Sequence, residues 1–306
     1  MQTLRYIMKR VLLAAVSLFA IITITFFLMN LMPGDPFMSE KASEENRAIL
    51  IAKYGLDQPV YVQYGKYLEN LVHGDMGTSY VLQKGRAVRD IITESFTVSM
   101  TLGIKALIVA VIVGIVLGCI SGLMKDRLPD GIIRVITSLG ISMPGYVIAS
   151  TLMLVLAVNL GVLPVSYKKP GGSIMPIITL AAYPTCYLAR LTRASILEVM
   201  NQDYLRTERA KGMSEFVVVF VHALKNSLIP VITYLGPLTA SILTGGFVAE
   251  SVFNVPGLGR YFVSSISSRD YTMIMGVTIF YSALIVLMNL VCDILYKIVD
   301  PRIKLD

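Results

Sequence analysis

The chain has 306 residues, of which 55% are hydrophobic and 15% are charged, and its formal net charge at pH 7 is +7. Its mean hydropathy of +0.69 exceeds what a soluble domain of this size needs to fill a core, so the composition excludes an ordinary soluble domain and indicates a lipid bilayer. The positive charge would suggest nucleic acid as the partner of a soluble protein. In a membrane protein the position of each charge matters more than the sum, and we expect no nucleic-acid partner.

Six stretches are apolar and long enough to span a bilayer, which takes about 20 largely apolar residues per helix. They are residues 11–32, 98–123, 133–160, 174–190, 229–249 and 272–298. The predicted fold class is therefore an all-α membrane protein with six transmembrane helices. The first stretch follows basic residues, as a signal peptide does, but it is too long and lacks a small-residue cleavage site, so we interpret it as a retained anchor.

Basic residues are distributed unevenly between the segments that join these stretches. If the amino end is cytoplasmic and six spans alternate, the inside segments hold Arg5, Lys9, Arg10, Lys125, Arg127, Arg134, Arg190, Arg193, Arg206, Arg209, Lys211, Lys225, Lys297, Arg302 and Lys304. The short outside loops hold only Lys168, Lys169, Arg260 and Arg269. Because short loops rich in Lys and Arg stay inside, we predict that both termini are cytoplasmic and that the protein is multi-pass in the cell (inner or plasma) membrane.

The polar segment 33–96 lies between the first two spans and is predicted to be outside. It opens with Pro-Gly-Asp-Pro at 33–36, which ends the preceding helix because each proline lacks a backbone donor and restricts its predecessor. Apolar and tyrosine side chains then recur at near-helical spacing, which predicts a small helical subdomain, with a disordered loop as the alternative. These residues are Tyr54, Leu56, Val60, Tyr61, Tyr64, Tyr67, Leu68 and Leu71.

Residues 190–228 form the longest predicted cytoplasmic loop, and its sequence carries helix start and stop signals. Asp203 is a good N-cap, no helix breaker occurs from Tyr204 to Lys211, and Gly212 can adopt the left-handed conformation that ends a helix. Ser214 can cap a second helix. The pattern predicts a short helix, on the order of 12 Å long, below the membrane. Such a helix can insert into a groove on a cytoplasmic partner.

Residues 203–212 read Asp-Tyr-Leu-Arg-Thr-Glu-Arg-Ala-Lys-Gly, and residues 222–226 read His-Ala-Leu-Lys-Asn. This loop resembles that of binding-protein-dependent ABC importer permeases, in the oligopeptide, dipeptide and nickel branch. Against the wider family pattern, residues 206–208 replace Glu-Ala-Ala, His222 replaces Ile and Lys225 replaces Pro, whereas Arg-Ala-Lys-Gly and His-Ala-Leu are typical of the peptide branch. Other segments that resemble the first permease of oligopeptide importers are residues 26–28, 33–36, 56–59, 74–77, 256–259, 269–271 and 300–301.

The resemblance implies the type I ABC importer permease fold, with an extracytoplasmic segment between helices 1 and 2. It divides the chain into residues 1–32 (amino terminus and first helix), 33–96 (extracytoplasmic segment), 97–299 (transmembrane domain with the coupling loop 190–228) and 300–306 (cytoplasmic tail). The implied partners are a second homologous permease, two ATPase subunits and an extracytoplasmic peptide-binding protein. The implied substrate is an oligopeptide, with a dipeptide or a nickel or metal chelate as the alternative.

The chain has no Gly-x-x-x-x-Gly-Lys-Ser/Thr loop to hold nucleotide phosphates. We therefore expect no cofactor and no enzymatic activity in this chain, with ATP and Mg²⁺ bound by the partner ATPase subunits. No catalytic or metal-binding residues are predicted, since both histidines lie in loops and the cysteines, Cys119, Cys186 and Cys292, are scattered over three spans.

The resemblance assigns ATPase coupling to residues of the short helix and its turn, with a solvated charged face as the alternative for each. They are Asp203, Arg206, Glu208, Arg209, Ala210, Lys211 and Gly212. Neutral polar residues in the spans are candidates for the substrate path, with interhelical hydrogen bonding as an equally good explanation. They are Ser142, Thr151, Thr185, Thr239, Ser241 and Thr244. We place Glu250 at the outer membrane edge, and we favour an ion pair or an interfacial position for Asp293.

Three other classes of membrane protein fit the sequence less well. A secondary transporter is expected to show ionisable residues near the midplane or broken helices in repeated halves, and neither is visible. An intramembrane enzyme needs a nucleophile and a base within the spans, and a channel needs a filter or a charged ring. Co-purification of ATPase subunits would separate the permease from all three.

The predicted topology is tested with single cysteines in a cysteine-free background. Gly85→Cys should react with an impermeant thiol reagent added to intact cells, whereas Gly212→Cys should react only after the cells are opened. Labelling of intact cells at position 212 but not at position 85 would overturn the topology.

Overall fold

A computed structural model describes residues 2–31, 51–52, 55–244 and 246–299, with side chains described for 8–31, 51–52, 55–244 and 246–291. The described part is helical and contains one isolated antiparallel bridge, between Thr78 and Ala87. It divides into two compact units. Unit 1 comprises residues up to Ser99 together with Pro256–Leu287, and unit 2 comprises Met100–Val255 together with residues from Met288.

The helices in chain order are α1 (Gln2–Leu31), α2 (Val60–Val72), α3 (Val88–Leu123), α4 (Leu128–Ser142), α5 (Gly145–Leu152), α6 (Ile174–Met200), α7 (Asp203–Ala210), α8 (Glu215–Val217), α9 (Leu224–Ser227), α10 (Ile229–Thr244), α11 (Phe247–Val252), α12 (Leu258–Ser268) and α13 (Tyr271–Val299). Two π-helical segments continue them, Met153–Asn159 after α5 and Val218–Ala223 between α8 and α9. Among the described residues, five helices are long and apolar enough to cross a membrane, or six if one bent pair counts as a single span. The all-α membrane fold class is confirmed.

The predicted span 133–160 is wrong as a single straight helix. The chain forms α4, then bends by 107° into α5 and its π-helical continuation. Met143 takes an extended conformation, with φ −82° and ψ 126°, because the following Pro144 disfavours helical geometry at its predecessor. Proline also lacks the N–H that would continue the helix, so the break falls at this dipeptide.

The predicted span ends at residue 190, whereas the helix α6 runs ten residues further, to Met200. Residues 191–200 contain neither glycine nor proline, so the helix continues after the apolar run has ended. The predicted loop 190–228 is therefore mostly helical. Its irregular residues are the short connections on either side of α7 and the turn residue Leu228.

The polar segment does contain a helix, as its spacing predicts, and α2 excludes the disordered alternative for Val60–Val72. In unit 1, α2 packs Tyr64 and Tyr67 against Phe26 of α1, and the Thr23 hydroxyl lies 2.6 Å from the Tyr64 hydroxyl. Burial raises the pKa of the Tyr67 phenol, whose oxygen has no hydrogen-bond partner among the described residues. Tyr54 lies outside the described residues.

Asp270 attaches the turn that follows α2 to the start of α13, within unit 1. Its fully buried carboxylate accepts hydrogen bonds from the Ser79 hydroxyl at 2.5 Å and from the backbone N–H groups of Tyr80, Val81 and Leu82 at 3.1, 3.1 and 3.0 Å. A buried carboxylate is costly unless such donors surround it. The described residues 79–82 therefore form an ordered structure around one carboxylate.

In unit 2, α3 and α6 approach closely along three glycines spaced four residues apart. Gly114, Gly118 and Gly122 face Leu188, Thr192 and Ile196, and a Cβ placed on these glycines would lie 2.8, 2.5 and 3.0 Å from those side chains. Residues four apart share a helix face, so the three glycines form a groove that the side chains of α6 enter. Such small-residue contacts let helix backbones approach within a bilayer.

We expect Gly118→Ala to lower the thermal stability of the purified protein, because the new methyl group overlaps Thr192 and the Ala189 carbonyl oxygen. Overpacking of this kind costs about 1–3 kcal/mol. The matched control is Gly131→Ala in α4, where the added Cβ meets nothing within 4 Å. Equal melting temperatures of the two variants in the same detergent would contradict the close approach of α3 and α6.

Candidate functional site

The short helix predicted in the cytoplasmic loop is α7, and its eight residues give it the expected length of about 12 Å. The prediction of Asp203 as its N-cap is wrong by one residue. Gln202 occupies the cap position, with φ −78° and ψ 146°, and makes no side-chain cap hydrogen bond. Asp203 is the first helical residue, where its carboxylate still lies near the positive end of the helix dipole.

The carboxyl end of α7 is closed at Gly212, as predicted. Gly212 has φ +81°, its N–H donates to the Arg209 carbonyl at 3.0 Å, and the Met213 N–H donates to the Glu208 carbonyl at 3.4 Å. These two bonds form a Schellman motif, which uses a left-handed residue to satisfy the last carbonyls of a helix. A glycine adopts that conformation without the strain that a Cβ imposes.

The inner face of α7 is anchored by one leucine and one tyrosine that the sequence did not single out. Leu205 is fully buried in a cluster with Val199, Val218 and Ala223. The Tyr204 hydroxyl donates to the His222 carbonyl at 3.4 Å and accepts from the Asn226 side-chain amide at 2.8 Å. The helix therefore packs on the end of α6 and on the second π-helical segment. Leu205 is the one aliphatic residue larger than alanine in the otherwise polar helix α7, which is the signal that identifies it.

A second contact spans the turn at Gly212. The Arg209 guanidinium donates two hydrogen bonds to the Glu215 carboxylate, at 3.0 and 2.8 Å, and these bonds raise the pKa of Arg209. Ser214 has N-cap backbone geometry before α8, as predicted, but its side chain makes no cap hydrogen bond. The arginine therefore links α7 to α8 within the chain. Its predicted contact with an ATPase stays a prediction.

The remaining predicted coupling residues present a charged surface. The side chains of Asp203, Arg206 and Lys211 are 94%, 76% and 58% exposed. Glu208 is 18% exposed and accepts from the Lys211 ammonium at 3.1 Å. Ala210 and Gly212 are exposed as well. The structure thus brings all seven predicted coupling residues together on one short helix and its closing turn.

The six candidate path residues are spread over α4, α5, α6 and α10. Thr239 and Thr244 donate to carbonyls of their own helix, those of Leu235 and Ala240. Ser142, Thr151 and Ser241 are exposed and Thr185 is half-buried. In the described part of the chain no hydrogen bond joins any two of the six, so their role as path lining stays a prediction.

An aromatic stack joins α6 and α10. The ring of Tyr187 lies 4.4 Å from that of Tyr234 and 6.2 Å from that of Tyr183, in stacked arrangements. Tyr187 and Tyr183 belong to α6, and Tyr234 belongs to α10. This stack joins the two helices with aromatic surface and phenol groups rather than with fixed charges.

A buried carboxylate at the start of α4 was missed by the sequence reasoning. Asp130 is fully buried and accepts two hydrogen bonds from Arg193 of α6, at 2.7 and 2.8 Å. It also accepts from the Ser121 hydroxyl at 2.6 Å and from the Asp126 N–H at 3.0 Å. The signal in the sequence is an acidic residue among the basic residues that follow the second span.

Two other acidic predictions have different outcomes. Glu250 is 1% exposed in α11 and is therefore buried within the protein, and its position at the outer edge of the membrane stays a prediction. The Asp293 side chain lies outside the described side chains. Among the described residues, no three His, Cys, Asp or Glu side chains form a group that could hold a metal ion, and Cys119 and Cys186 are free thiols.

Comparison with known proteins matches the chain to two family descriptions. "Binding-protein-dependent transport system inner membrane component" matches residues 114–305, and its amino-terminal companion matches residues 3–103. The dipeptide transport system permease protein of Bacillus subtilis is 44% identical over 98% of both chains. The oligopeptide transport system permease protein of Haemophilus influenzae is 42% identical over 98% of this chain and 99% of its own.

A solved structure, described as an amino acid ABC transporter with histidines, covers 68% of this chain and 94% of its own at a TM-score of 0.56 and 13% identity. At that identity the likeness shows the fold alone. It agrees with the type I permease fold expected from the sequence.

We expect Gly212→Val to loosen α7, since a β-branched residue in the left-handed conformation costs about 1–3 kcal/mol. Hydrogen exchange of the backbone amides in 205–213 should become faster. Gly212→Asn is the matched control, because asparagine tolerates this conformation, and it should exchange like the wild type. Unchanged exchange in the valine variant would contradict the role given to this turn.

Proposed function

Because the chain belongs to the family of binding-protein-dependent transport system inner membrane components, we propose that it is the permease subunit of an ATP-driven importer of oligopeptides. Members of this family work with ATPase and binding-protein partners. The proposed assembly pairs this chain with a second homologous permease, and the two form the membrane path. Two ATPase subunits lie below them, and an extracytoplasmic protein delivers the peptide.

The observation that carries the proposal is the geometry of α7. It is a short, charged, exposed helix whose inner face is fixed by Leu205 and whose end is fixed by Gly212. A flexible loop that a partner displaces would move without displacing the helices around it. An anchored helix transmits the displacement to the helices on which it packs. The ATPase subunits therefore have a rigid contact through which nucleotide-driven movement reaches the membrane helices. The exposed charges of Asp203, Arg206 and Lys211 are the groups proposed to pair with the ATPase surface.

The described helices support a multi-pass membrane location. Many apolar side chains of α1 are exposed, which suits contact with lipid acyl chains; they include Val11, Leu12, Val16, Phe19, Ile24 and Leu28. The proposed location is the cell (inner or plasma) membrane with both termini cytoplasmic. Segment 33–96 then lies outside, where Pro33, Gly34 and residues 37–96 are the proposed contact surface for the binding protein.

The proposed substrate class follows from the relatives and from the chemistry of the spans. The relatives named above are oligopeptide and dipeptide permeases. The candidate path residues carry neutral hydroxyl groups, which can replace water around a peptide backbone without selecting one sequence. A nickel or metal-chelate path is expected to offer soft or imidazole ligands. This chain has two histidines. His73 follows α2, outside the candidate spans, and His222 lies near the start of the candidate span Glu215–Val252, so the described spans offer one imidazole and not a group of metal ligands.

The test is uptake by proteoliposomes that contain the full complex and its own binding protein. Labelled peptides of two to five residues are compared with labelled nickel, each with ATP and with a non-hydrolysable analogue. We expect saturable, ATP-dependent uptake of peptide and none of nickel. Uptake of dipeptides alone would narrow the substrate class to dipeptides.

The control is the same complex with an inactive ATPase subunit, which should take up neither substrate. Saturable nickel uptake without peptide uptake would contradict the peptide assignment and leave the importer assignment intact. Purification of the chain without any ATPase subunit would contradict both.

A further inference from the structure

Asp130 collects donors from three separate parts of unit 2. Arg193 of α6 supplies a two-point contact, Ser121 of α3 supplies a hydroxyl, and the turn before α4 supplies the Asp126 N–H. The carboxylate is fully buried, whereas the Arg193 side chain is 20% exposed. Two parallel N–H···O bonds fix orientation as well as distance, so α4 and α6 are held in one relative arrangement.

Arg193 lies on the same rigid piece as the coupling helix. It precedes the end of α6 at Met200 by seven residues, or about 10 Å of helix. Only two residues separate Met200 from α7, and the Gln202 N–H donates to the Val199 carbonyl at 3.0 Å. Val199 in turn packs on Leu205 of α7. A displacement of α7 is therefore transmitted to Arg193 through helix and packed side chains.

On the other side of the pair, α4 leads to the bend at Pro144 and then to α5. Because α4 is hydrogen-bonded to α6 at its start and bends at its end, movement of its start displaces the residues beyond the bend. Separating Asp130 from Arg193 would leave each charge without its counterion at a largely buried position. This energetic cost keeps the ion pair intact. The Asp130–Arg193 pair thus lies between the contact with the ATPase and the helices of the membrane domain.

We propose that Asp130 and Arg193 are positioning residues that make α4 move together with the coupling helix α7, so that ATP hydrolysis is converted into movement of the membrane helices. The proposal rests on the importer function proposed above. Neither residue contacts ATP or peptide in this proposal. Their action is on the relative position of α4 and α6.

The first test compares Asp130→Asn and Arg193→Gln with Arg134→Gln in the reconstituted complex. Arg134 is the matched control because its Nε lies 3.7 Å from the same carboxylate but on the same helix, so its loss does not untie α4 from α6. We expect the first two variants to raise the ATP hydrolysed per peptide imported by about fivefold or more, as the loss of a site-to-site coupling does. The control should remain near the wild-type ratio. Equal ratios in all four proteins would overturn the proposal.

A second variant keeps the test valid if the substitutions weaken folding. A Cβ placed on Gly140 of α4 would lie 3.5 Å from the Cys186 Cβ of α6, a separation at which disulfides form. Adding Gly140→Cys to Asp130→Asn allows oxidation to reconnect the two helices covalently. Oxidation should return the ratio toward the wild-type value and reduction should reverse this, whereas oxidation of Asp130→Asn alone should do neither. Failure of the crosslink to restore coupling would mean that the pair does not act by tying α4 to α6.

A third measurement needs no peptide and therefore separates this proposal from the proposed substrate. Ser142 is exposed at the end of α4, and Ser142→Cys in a background without other cysteines reports movement of that helix through its rate of thiol labelling. Trapping the ATPases with vanadate should change the rate in the otherwise wild-type complex and change it less with Asp130→Asn. The same vanadate response with and without Asp130→Asn would overturn the role of the pair. A response that depends on Asp130 in a complex that imports no peptide would instead refute only the substrate.

Discussion

The close approach of α3 to α6 is the constraint on which the rest of unit 2 depends. The hydrophobic effect contributes little to helix association within lipid, so the helices associate through van der Waals contacts between closely packed surfaces. Three glycines of α3 remove the side chains that would hold the helices apart, and Leu188, Thr192 and Ile196 of α6 enter the space. This contact places Arg193, the neighbour of Thr192, where it meets Asp130 beside Ser121 of α3.

The coupling helix inherits its position from this arrangement. Because α6 is held along α3, its end at Met200 is a fixed point from which α7 begins two residues later. Leu205 then anchors α7 to that end of α6, and the left-handed Gly212 reverses the chain toward α8. The side chains of Asp203, Arg206 and Lys211 remain exposed toward a partner, whereas Arg209 is bound to Glu215 of the same chain. Rigidity of the helix and availability of its charges therefore follow from the same amphipathic pattern.

The errors in the predicted boundaries have local causes. Hydropathy is continuous from residue 133 to residue 160 and predicts one span, although the backbone breaks at Met143 and Pro144, where proline removes a donor. Hydropathy falls at residue 190 and ends the predicted span there, whereas the helix α6 continues to Met200 because no glycine or proline interrupts it. The predicted N-cap, Asp203, is one residue later than the observed cap, Gln202, because Asp is favourable both at the cap and in the first turn. Hydropathy measures whether side chains prefer lipid to water, whereas these helix boundaries depend on backbone chemistry.

The sequence by itself determined the membrane class, the helix α2 in the polar segment, and the short helix closed at Gly212, because each depends on neighbours within a few residues. Periodicity and the left-handed preference of glycine are local properties. Only the tertiary structure decided that Asp130 meets Arg193, 63 residues away, and that Asp270 meets the backbone of Tyr80, 190 residues away. A buried carboxylate needs donors from whatever packs around it, and which segments pack there is a property of the folded helices and not of any one of them.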